Sequence, residues 1–308
     1  MTESSRAVVW ADAPDFAAWM RAHQLCVEQV LDRLLPPASI APTRLHEAMR
    51  YAALGGGKRV RPLLAFAAGE VAGAQPDTVA IAAAAVELIH AYSLAHDDLP
   101  CMDDALLRRG RPSCHIAFDV ATALLVGDSL QSLAFQTLAG ESLAADPSRQ
   151  LEMVNALALA AGSRGMAGGQ AIDLASTGME LSLPELEFMH IHKTGALIRA
   201  AVLVGAACGN ALDGNARACL DRFAKFSGLA FQVVDDLLDA HADTATLGKT
   251  AGKDAAQNKP TYVSILGAAR SRELVAELHR TALDAIAPLG ARARRLHELT
   301  DFIVQRER

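Results

Sequence analysis

The run DTVAIAAAAVELIHAYSLAHDDLPCMDD occupies residues Asp77 to Asp104 and joins a long apolar, alanine-rich segment to an acidic cluster. The apolar part contains neither glycine nor proline and is rich in good helix formers, which favours a helix. Pro100 interrupts the acidic part and disfavours helical backbone at the residue before it. The helix is therefore predicted to end or bulge there, which would return Asp103 toward Asp97.

A second acidic cluster, DDLLD at Asp235 to Asp239, ends another apolar run that begins at Asp213. Asp235 and Asp239 are four residues apart, so a helix places them on one face, with Asp236 displaced by about 100°. One helix face is therefore predicted to present two carboxylates.

Helical periodicity recurs along most of the chain. Apolar residues follow spacings of three and four from Phe16 to Leu34, and Pro36 ends that pattern. Similar runs cover Asp77–His96, Ala117–Ala145, Ser148–Ser163, Leu183–Cys208 and Asp213–Asp239. No alternating strand pattern of useful length and no linker rich in proline or serine separates them. We therefore predict an all-α fold, a helical bundle, with a single domain over residues 1–308.

The overall composition limits the classes of partner. A net charge of −6 without a basic stripe argues against nucleic acid. The five cysteines lack CxxC spacing, which favours free thiols and a cytoplasmic location. The longest apolar stretch, Ala200–Cys208, is too short to cross a bilayer, so no transmembrane segment is expected.

The acidic clusters are candidate metal ligands. Carboxylates at the ends of apolar helices are costly unless a cation compensates them. Neither histidine nor cysteine accompanies them at ligand spacing, and oxygen-only ligands suit Mg²⁺, which completes its shell with waters and substrate phosphates. One acidic run alone would more often be a solvated helix end. Two such runs favour a magnesium site and a phosphorylated substrate.

Basic residues supply the other half of a phosphate site. The segment GGGKRVRP places Lys58, Arg59 and Arg61 after three glycines, where backbone can approach an anion and guanidinium groups can bind phosphate oxygens. Alone, such a segment is more often a surface loop. Further cations near the acidic clusters, or in the motif HKTG, are Arg108, Arg109, Lys193, Lys249 and Lys259.

Five segments in order carry a resemblance to a known family. They are GGGKRVRP, ELIHAYSLAHDDLPCMDDALLRRGRPSCH, GGQAIDL, HKTG and FQVVDDLLDAHADTATLGKTAGKD. In order and spacing they resemble the trans-isoprenyl diphosphate synthases, or polyprenyl synthetases, and in particular the short-chain bacterial farnesyl diphosphate synthases. The resemblance extends from about residue 44 to the end of the chain. It implies an antiparallel helical bundle around a deep apolar cavity, usually assembled as a homodimer.

The resemblance also implies a reaction. An allylic substrate, dimethylallyl or geranyl diphosphate, ionises while three Mg²⁺ ions hold its departing diphosphate. The double bond of isopentenyl diphosphate attacks the carbocation, and loss of a proton leads to farnesyl diphosphate. The released diphosphate is the expected proton acceptor, so no side chain is nominated as a general base.

By the same resemblance, individual residues receive roles. The principal metal ligands are Asp97, Asp103 and Asp235; the weaker ligands, or residues behind the ligands, are Asp98, Asp236 and Asp239. The residues for isopentenyl diphosphate are Lys58, Arg61, His90 and Arg109. Those for the allylic diphosphate are Arg108, Lys193, Lys249 and Lys259, while Thr194 and Gln232 face the carbocation. The role of Asp104 stays open, and Gln170 and Asp173 serve either the site or the structure.

Two positions before the first acidic cluster bear on product length. Ser93 and Tyr92 lie four and five residues before Asp97, and the resemblance implies that a tyrosine there blocks growth beyond three isoprene units. An ordinary core role for Tyr92 is the alternative. Ala105 and Leu106 stand where bacterial relatives commonly carry further acids, which we expect to affect efficiency and not the class of reaction.

Other functions remain open from the sequence. A geranylgeranyl diphosphate synthase would use the same residues with a deeper cavity. A class I terpene cyclase would carry Asn, Ser or Thr, and Glu in its second metal motif and would not need Lys58 and Arg61. The pair His96–Asp97 suggests a His-Asp phosphohydrolase, but the second cluster is all carboxylate. A non-catalytic partner subunit usually loses one cluster, and this chain keeps both.

Overall fold

The computed structural model describes residues 15–241 and 259–306, and most of these residues are in helices. The helices are α1 (Phe16–Leu34), α2 (Thr43–Ala53), α3 (Val60–Val71), α4 (Pro76–Asp97), α5 (Cys114–Ala117), α6 (Val120–Gly140), α7 (Pro147–Ala161), α8 (Met166–Ala175), α9 (Leu183–His190), α10 (Ala196–Ala207), α11 (Gly214–His241), α12 (Tyr262–Ile286) and α13 (Arg294–Gln305). A π-helix, Ile191–Gly195, joins α9 to α10, and a 3₁₀-helix, Ala287–Ala293, joins α12 to α13. The prediction of an all-α fold is confirmed. The single domain stays a prediction.

Helix α4 lies at the centre of the bundle. It packs against α1, α2, α3, α6 and α10, and most of its side chains are buried. In the described ranges it alone has the length and apolar composition of a membrane span, and 78% of its most apolar window is buried inside the fold. Burial among neighbouring helices accounts for this apolar surface.

Small residues let the central helices approach closely. A Cβ built on Gly205 of α10 would lie 2.1 Å from the carbonyl oxygen of Ala65 in α3. A Cβ on Gly127 of α6 would lie 2.0 Å from His96 Nε2, at the end of α4. Alanine and glycine therefore serve close packing as well as helix formation, and this packing fixes the end of α4 where the first acidic cluster begins.

The observed helices differ from the predicted runs in two places. The π-helix divides the run Leu183–Cys208, which was predicted to be continuous. The run Ala117–Ala145 forms its long helix only over Val120–Gly140, and Asp119 caps the start of α6 by accepting a hydrogen bond from the Thr122 amide at 2.7 Å.

A short hairpin follows the first acidic cluster. Strand β1 (Leu107–Arg108) pairs antiparallel with β2 (Arg111–Pro112). The turn residues Arg109 and Gly110 both have positive φ, 55° and 74°, as two-residue hairpin turns of the primed type require. The hairpin carries Arg108 and Arg109 back toward α4.

Candidate active site

The first acidic cluster forms a tight turn after α4. The helix ends at Asp97, and the Asp103 amide donates a hydrogen bond to the Asp97 carbonyl at 2.8 Å. The amide of Ala105 likewise donates to the Asp98 carbonyl at 3.2 Å. Pro100 thus ends the helix as predicted, and Asp103 returns to Asp97.

A cavity of about 370 Å³ brings the two acidic clusters together. Acids from three separate parts of the sequence line it: Asp97, Asp103, Asp104, Asp173, Asp235 and Asp236. The other polar residues around it are Arg108, His190, Lys193, Gln232, Lys259 and Thr261. We call this space the acidic cavity. Asp239, one turn beyond Asp235 on α11, is buried and lies outside this lining.

The donor set fits Mg²⁺. Burial raises the pKa of the Asp97 carboxyl to about 6; Lys193 opposes that rise and the charge of Asp103 adds to it. Such a carboxylate favours a cation beside it. Within residues 15–241 and 259–306 no three acid, imidazole or thiol groups converge on one point. A bound Mg²⁺ would therefore complete its shell with waters and phosphate oxygens, which is its usual preference.

Two lysines meet on Asp173 at the edge of the acidic cavity. Lys193 Nζ lies 2.6 Å from Asp173 Oδ2, and Lys259 Nζ bridges Asp173 Oδ2 at 3.1 Å and Asp103 Oδ1 at 2.8 Å. Burial opposes ionisation of Asp173, but the two lysines hold the pKa of this carboxyl below its ordinary value. Asp173, in the GQ-x-x-D motif, therefore organises two cations that face the cavity.

Two of the weaker acidic candidates are held by protein groups. The carboxylate of Asp98 is buried in a bidentate ion pair with Arg108, so it faces the hairpin. Asp236 accepts hydrogen bonds from Gln232 Nε2 at 2.9 Å and from the Tyr262 amide at 2.8 Å. These protein donors fit residues placed behind the metal ligands.

The HKTG motif lies in the π-helix Ile191–Gly195. A π turn contains an extra residue and often occurs at functional sites. Thr194 Oγ1 donates to Gln232 Oε1 at 3.0 Å, so the π-helix joins the end of α11 through this pair. Neighbouring glycines make room for it: a Cβ on Gly169 would lie 2.1 Å from the Lys193 amide nitrogen.

A second cavity of about 360 Å³ adjoins the acidic one, and we call it the basic cavity. Its charged and aromatic lining comprises Lys58, Arg59, Arg61, Glu87, His90, Arg108, Arg109, Phe231, Asp235 and Arg306. Burial and the charge of Arg61 lower the pKa of His90 well below its ordinary value, so this imidazole is neutral. Within the described ranges Arg61 Nε has no hydrogen-bond partner. The cavity therefore suits an anion.

Arg59 corrects one expectation from the sequence. Its side chain is 1% exposed and pairs with Glu28 and Glu87, so its guanidinium does not reach out to a phosphate. The long sequence separation of these partners hid the pairing. Lys249, an expected phosphate ligand, lies outside the described residues.

Sequence reasoning missed Arg306. Its Nη2 lies 2.6 Å from Asp235 Oδ1 and 2.8 Å from the Phe231 carbonyl, and its guanidinium stacks over the Phe231 ring at 3.9 Å. No motif surrounds this arginine, and its role depends on a contact across the fold.

Comparisons with known proteins agree with this geometry. The family model of polyprenyl synthetases matches residues 42–286. A probable farnesyl diphosphate synthase of Sinorhizobium fredii is 49% identical over 284 residues, which cover 91% of this chain and 85% of that protein. The farnesyl diphosphate synthase of Escherichia coli is 45% identical over 298 residues, with 96% and 100% covered.

Solved structures show the same likeness. An apo FPP/GFPP synthase from Zymomonas mobilis superposes with a TM-score of 0.85 at 38% identity, covering 94% of this chain and 98% of that one. A geranyltransferase from Helicobacter pylori, complexed with magnesium and isoprenyl diphosphate, gives a TM-score of 0.79 at 32% identity, covering 92% and 96%. With these likenesses over nearly its full length, the chain belongs to the polyprenyl synthetase family and is a short-chain prenyltransferase.

Proposed function

We propose that this prenyltransferase condenses isopentenyl diphosphate with dimethylallyl and then geranyl diphosphate to make farnesyl diphosphate. The pair of adjoining cavities supports this most directly, because the acidic and the basic cavity share Leu94, Arg108 and Asp235 along their common wall. A diphosphate bound through metal ions suits the carboxylates of the acidic cavity. A diphosphate bound without metal suits the cations of the basic cavity. Two diphosphates side by side are what a condensation needs.

The acidic cavity would hold Mg²⁺ through Asp97, Asp103 and Asp235, with three ions per site carried over from the family resemblance. Bound there, Mg²⁺ supplies positive charge that stabilises the departing diphosphate. Asp98 and Asp236 would hold neighbouring groups in place, and Asp239 stays a candidate of the same kind. This assignment is supported by the raised pKa of Asp97, which favours a cation next to it.

Lysines would bind the oxygens of the allylic diphosphate. Lys193 and Lys259 are fixed by Asp173, so little rearrangement is needed when charge develops on the leaving group. Arg108 would donate from the hairpin while its ion pair with Asp98 fixes its side chain. Lys249 is proposed from the motif alone.

The carbocation would be faced by Thr194 and Gln232, which hydrogen-bond to each other above the end of α11. Gln232 Nε2 is directed to Asp236, so its oxygen is turned toward Thr194. Oxygen dipoles oriented in this way stabilise a developing positive charge without themselves reacting.

Isopentenyl diphosphate would occupy the basic cavity, with Lys58, Arg61, His90 and Arg109 as its ligands. Guanidinium groups match the geometry of phosphate oxygens. His90 is neutral, so it binds as a hydrogen-bond donor and adds no charge.

The final proton would pass to the released diphosphate. The histidine at the acidic cavity is a poor base, because burial lowers the pKa of His190 to about 3. No side-chain base is therefore proposed, and the leaving group retained by the cations serves that role.

Product length would be set on α4. Tyr92 is buried, with its ring edge-on to His96 at 5.6 Å between centroids. The Ser93 hydroxyl donates to the His90 carbonyl of its own helix, so this side chain adds little bulk. Tyr92 does not reach the lining of the acidic cavity, so its role as a floor stays a proposal, with a geranylgeranyl product as the alternative.

We also propose a homodimer in the cytoplasm. Exposed leucines follow two neighbouring helices, at Leu124 and Leu125 on α6 and at Leu151 and Leu159 on α7. A face of this kind suits a second copy of the chain. The cysteine thiols, Cys26, Cys101, Cys114, Cys208 and Cys219, are free, which suits a reducing compartment.

Product analysis tests the function. The purified protein with Mg²⁺, isopentenyl diphosphate and, separately, dimethylallyl, geranyl or farnesyl diphosphate should stop at farnesyl diphosphate, identified by mass after dephosphorylation. A geranylgeranyl product would keep the chemistry and reject the proposed length. Cyclised hydrocarbon, or no chain growth, would reject the condensation and support a cyclase or a partner subunit.

A further inference from the structure

The glycine loop before α3 is held in place by α1. The three glycines at 55–57 all have positive φ, between 85° and 119°, and Arg59 follows at 51°. Glu28 of α1 accepts a hydrogen bond from the amide of the middle glycine at 3.2 Å. Gln24, one turn earlier, donates to the Lys58 carbonyl at 2.8 Å. A loop of such unusual backbone needs contacts of this kind to keep one conformation.

Arg59 directs its guanidinium into the protein. Its Nε and Nη2 donate to Glu28 Oε1 at 2.9 and 2.6 Å, and Nη1 donates to Glu87. Nη2 also donates to the Ala53 carbonyl at 2.8 Å. Each nitrogen of the group is therefore engaged by protein, although Arg59 is among the residues that line the basic cavity.

Glu87 connects this buried network to the substrate side. Its side chain is 2% exposed, and Arg109 Nη2 lies 3.9 Å from the same Glu87 oxygen that binds Arg59. Arg109 Nη1 donates to the Gly56 carbonyl at 2.8 Å. Glu28 thus binds the amide of Gly56 and Arg109 binds its carbonyl, so both backbone polar groups of this residue are fixed by the network.

We infer that Arg59, fixed between Glu28 and Glu87, is a positioning residue. It holds the glycine loop and Arg109 in the arrangement that binds isopentenyl diphosphate. Arg59 itself touches no substrate. The inference rests on the proposed assignment of the basic cavity to isopentenyl diphosphate. Its effect should be confined to that substrate, because the allylic diphosphate binds among the residues of the other cavity.

The substitution Glu28→Gln tests this. It keeps the size of the side chain and removes the charge that fixes Arg59. We expect the KM for isopentenyl diphosphate to rise about tenfold, because a loop displaced by a fraction of an ångström misplaces its ligands. The KM for geranyl diphosphate and kcat should stay within about twofold of the parent values. A purely destabilised protein would instead lose kcat through a smaller active fraction.

Three companion variants make the result interpretable. Asp32→Asn, one turn further along α1, breaks a surface ion pair with Arg50 and should change neither KM. Gln24→Met removes only the hydrogen bond to the Lys58 carbonyl, so it should raise the KM for isopentenyl diphosphate by less than Glu28→Gln does. It takes the place of Glu28→Gln if that variant does not fold. Arg61→Gln removes a proposed substrate ligand and reports on the basic cavity itself.

The outcomes separate the two claims. If Arg61→Gln raises the KM for isopentenyl diphosphate while Glu28→Gln and Gln24→Met leave it within about twofold, positioning by Arg59 is rejected. A parallel rise in both KM values would also reject it, because the effect would not be confined to one substrate. An unchanged KM for isopentenyl diphosphate in Arg61→Gln, Glu28→Gln and Gln24→Met alike would reject the assignment of the cavity, and the inference with it.

Discussion

At the scale of single residues, Asp97 carries a charge that the fold does little to compensate. Burial raises the pKa of its carboxyl to about 6, and the nearby Asp103 adds to the rise. By contrast, Asp103 has Lys259 at 2.8 Å and Asp235 has Arg306 at 2.6 Å. The buried charge of Asp97 therefore lowers the stability of the folded protein, and the same position suits a bound cation. Such a trade-off between stability and function is common in active sites.

Asp97→Asn should abolish most activity and yet stabilise the metal-free protein at pH 8. The carboxyl pKa rises on folding from 3.8 to about 6, so the folded state binds more protons between these values, and its stability increases as the pH falls through that window. With a chelator present, the free energy of unfolding in urea should rise by about 2 kcal/mol at pH 8 and by less at pH 5. Asp128→Asn, an exposed change on α6, is the control. Equal stabilisation at both pH values would contradict burial of the Asp97 charge as the cause.

Tyr92→Ala should lengthen the product. Removal of the ring opens space one turn before the first acidic cluster, so growth should continue to geranylgeranyl diphosphate. Mass analysis of the dephosphorylated products measures the change. Tyr51→Ala removes a tyrosine of α2 whose ring packs against Phe118 and whose hydroxyl donates to the Pro112 carbonyl, and it should leave the products as they are. If Tyr92→Ala makes products of the same chain lengths as the parent, Tyr92 is an ordinary core residue and does not limit the product.

Local chemistry was predictable from sequence, and distant contacts were not. Pro100 correctly predicted the turn that brings Asp103 to Asp97, because its effect is confined to the adjacent backbone. Arg59 was expected at a phosphate because it follows three glycines. Its partner Glu28 lies 31 residues away, so no local pattern revealed their ion pair. Arg306 was missed because 71 residues separate it from Asp235.

At the scale of elements, the π-helix shows where periodicity fails as a guide. The apolar spacing of residues 183–208 suits one continuous helix, and a single extra residue in one turn leaves almost no mark on that pattern. The only trace of the π-helix in the sequence is a set of glycines. Gly169, Gly195 and Gly228 lie where backbones meet around the HKTG motif, and a Cβ on Gly228 would lie 3.2 Å from the Gly195 Cα. Such glycines were explicable only after the helices were placed.

Gly169→Ala should lower kcat by about a hundredfold or more, because its Cβ would lie 2.1 Å from the Lys193 amide nitrogen and would force the π-helix to move. Steady-state kinetics and the thermal midpoint of unfolding measure the two consequences. Gly140→Ala, in α6, meets nothing within 4 Å and should retain activity. Full activity in Gly169→Ala would show that the π-helix tolerates displacement.

At the scale of the whole molecule, the fold class follows from sequence and the arrangement does not. Helical spacing alone predicted an all-α chain, but no pattern within it specified which helices would adjoin. The acidic cavity collects residues from α4 and the turn after it, β1, α8, α9, the π-helix, α11 and the segment just before α12. The chemistry of the two acidic clusters predicted that they share one magnesium site, and the resemblance to a family added the other segments, because such contacts depend on packing between distant parts of the chain.

The exposed leucines of α6 and α7 lead to a prediction about assembly. The wild-type chain should have the mass of a dimer by light scattering, and Leu125→Arg with Leu151→Arg should yield a monomer, because two charges would be buried without partners. Leu25→Arg changes a leucine of α1 that is 64% exposed and should leave the mass unaltered. A monomeric wild type would reject this face as an interface.

Helix α4 contributes to both cavities at once, through His90 in the basic one, Leu94 in both and Asp97 in the acidic one. These residues are spaced by four and three, so they follow one face over about two turns, or roughly 10 Å. Under the proposed assignment of the two cavities, this face of α4 sets the distance between the two substrates. We therefore expect that inserting or deleting one residue between His90 and Asp97, which turns this part of the helix by about 100°, would move the two substrates out of alignment with each other.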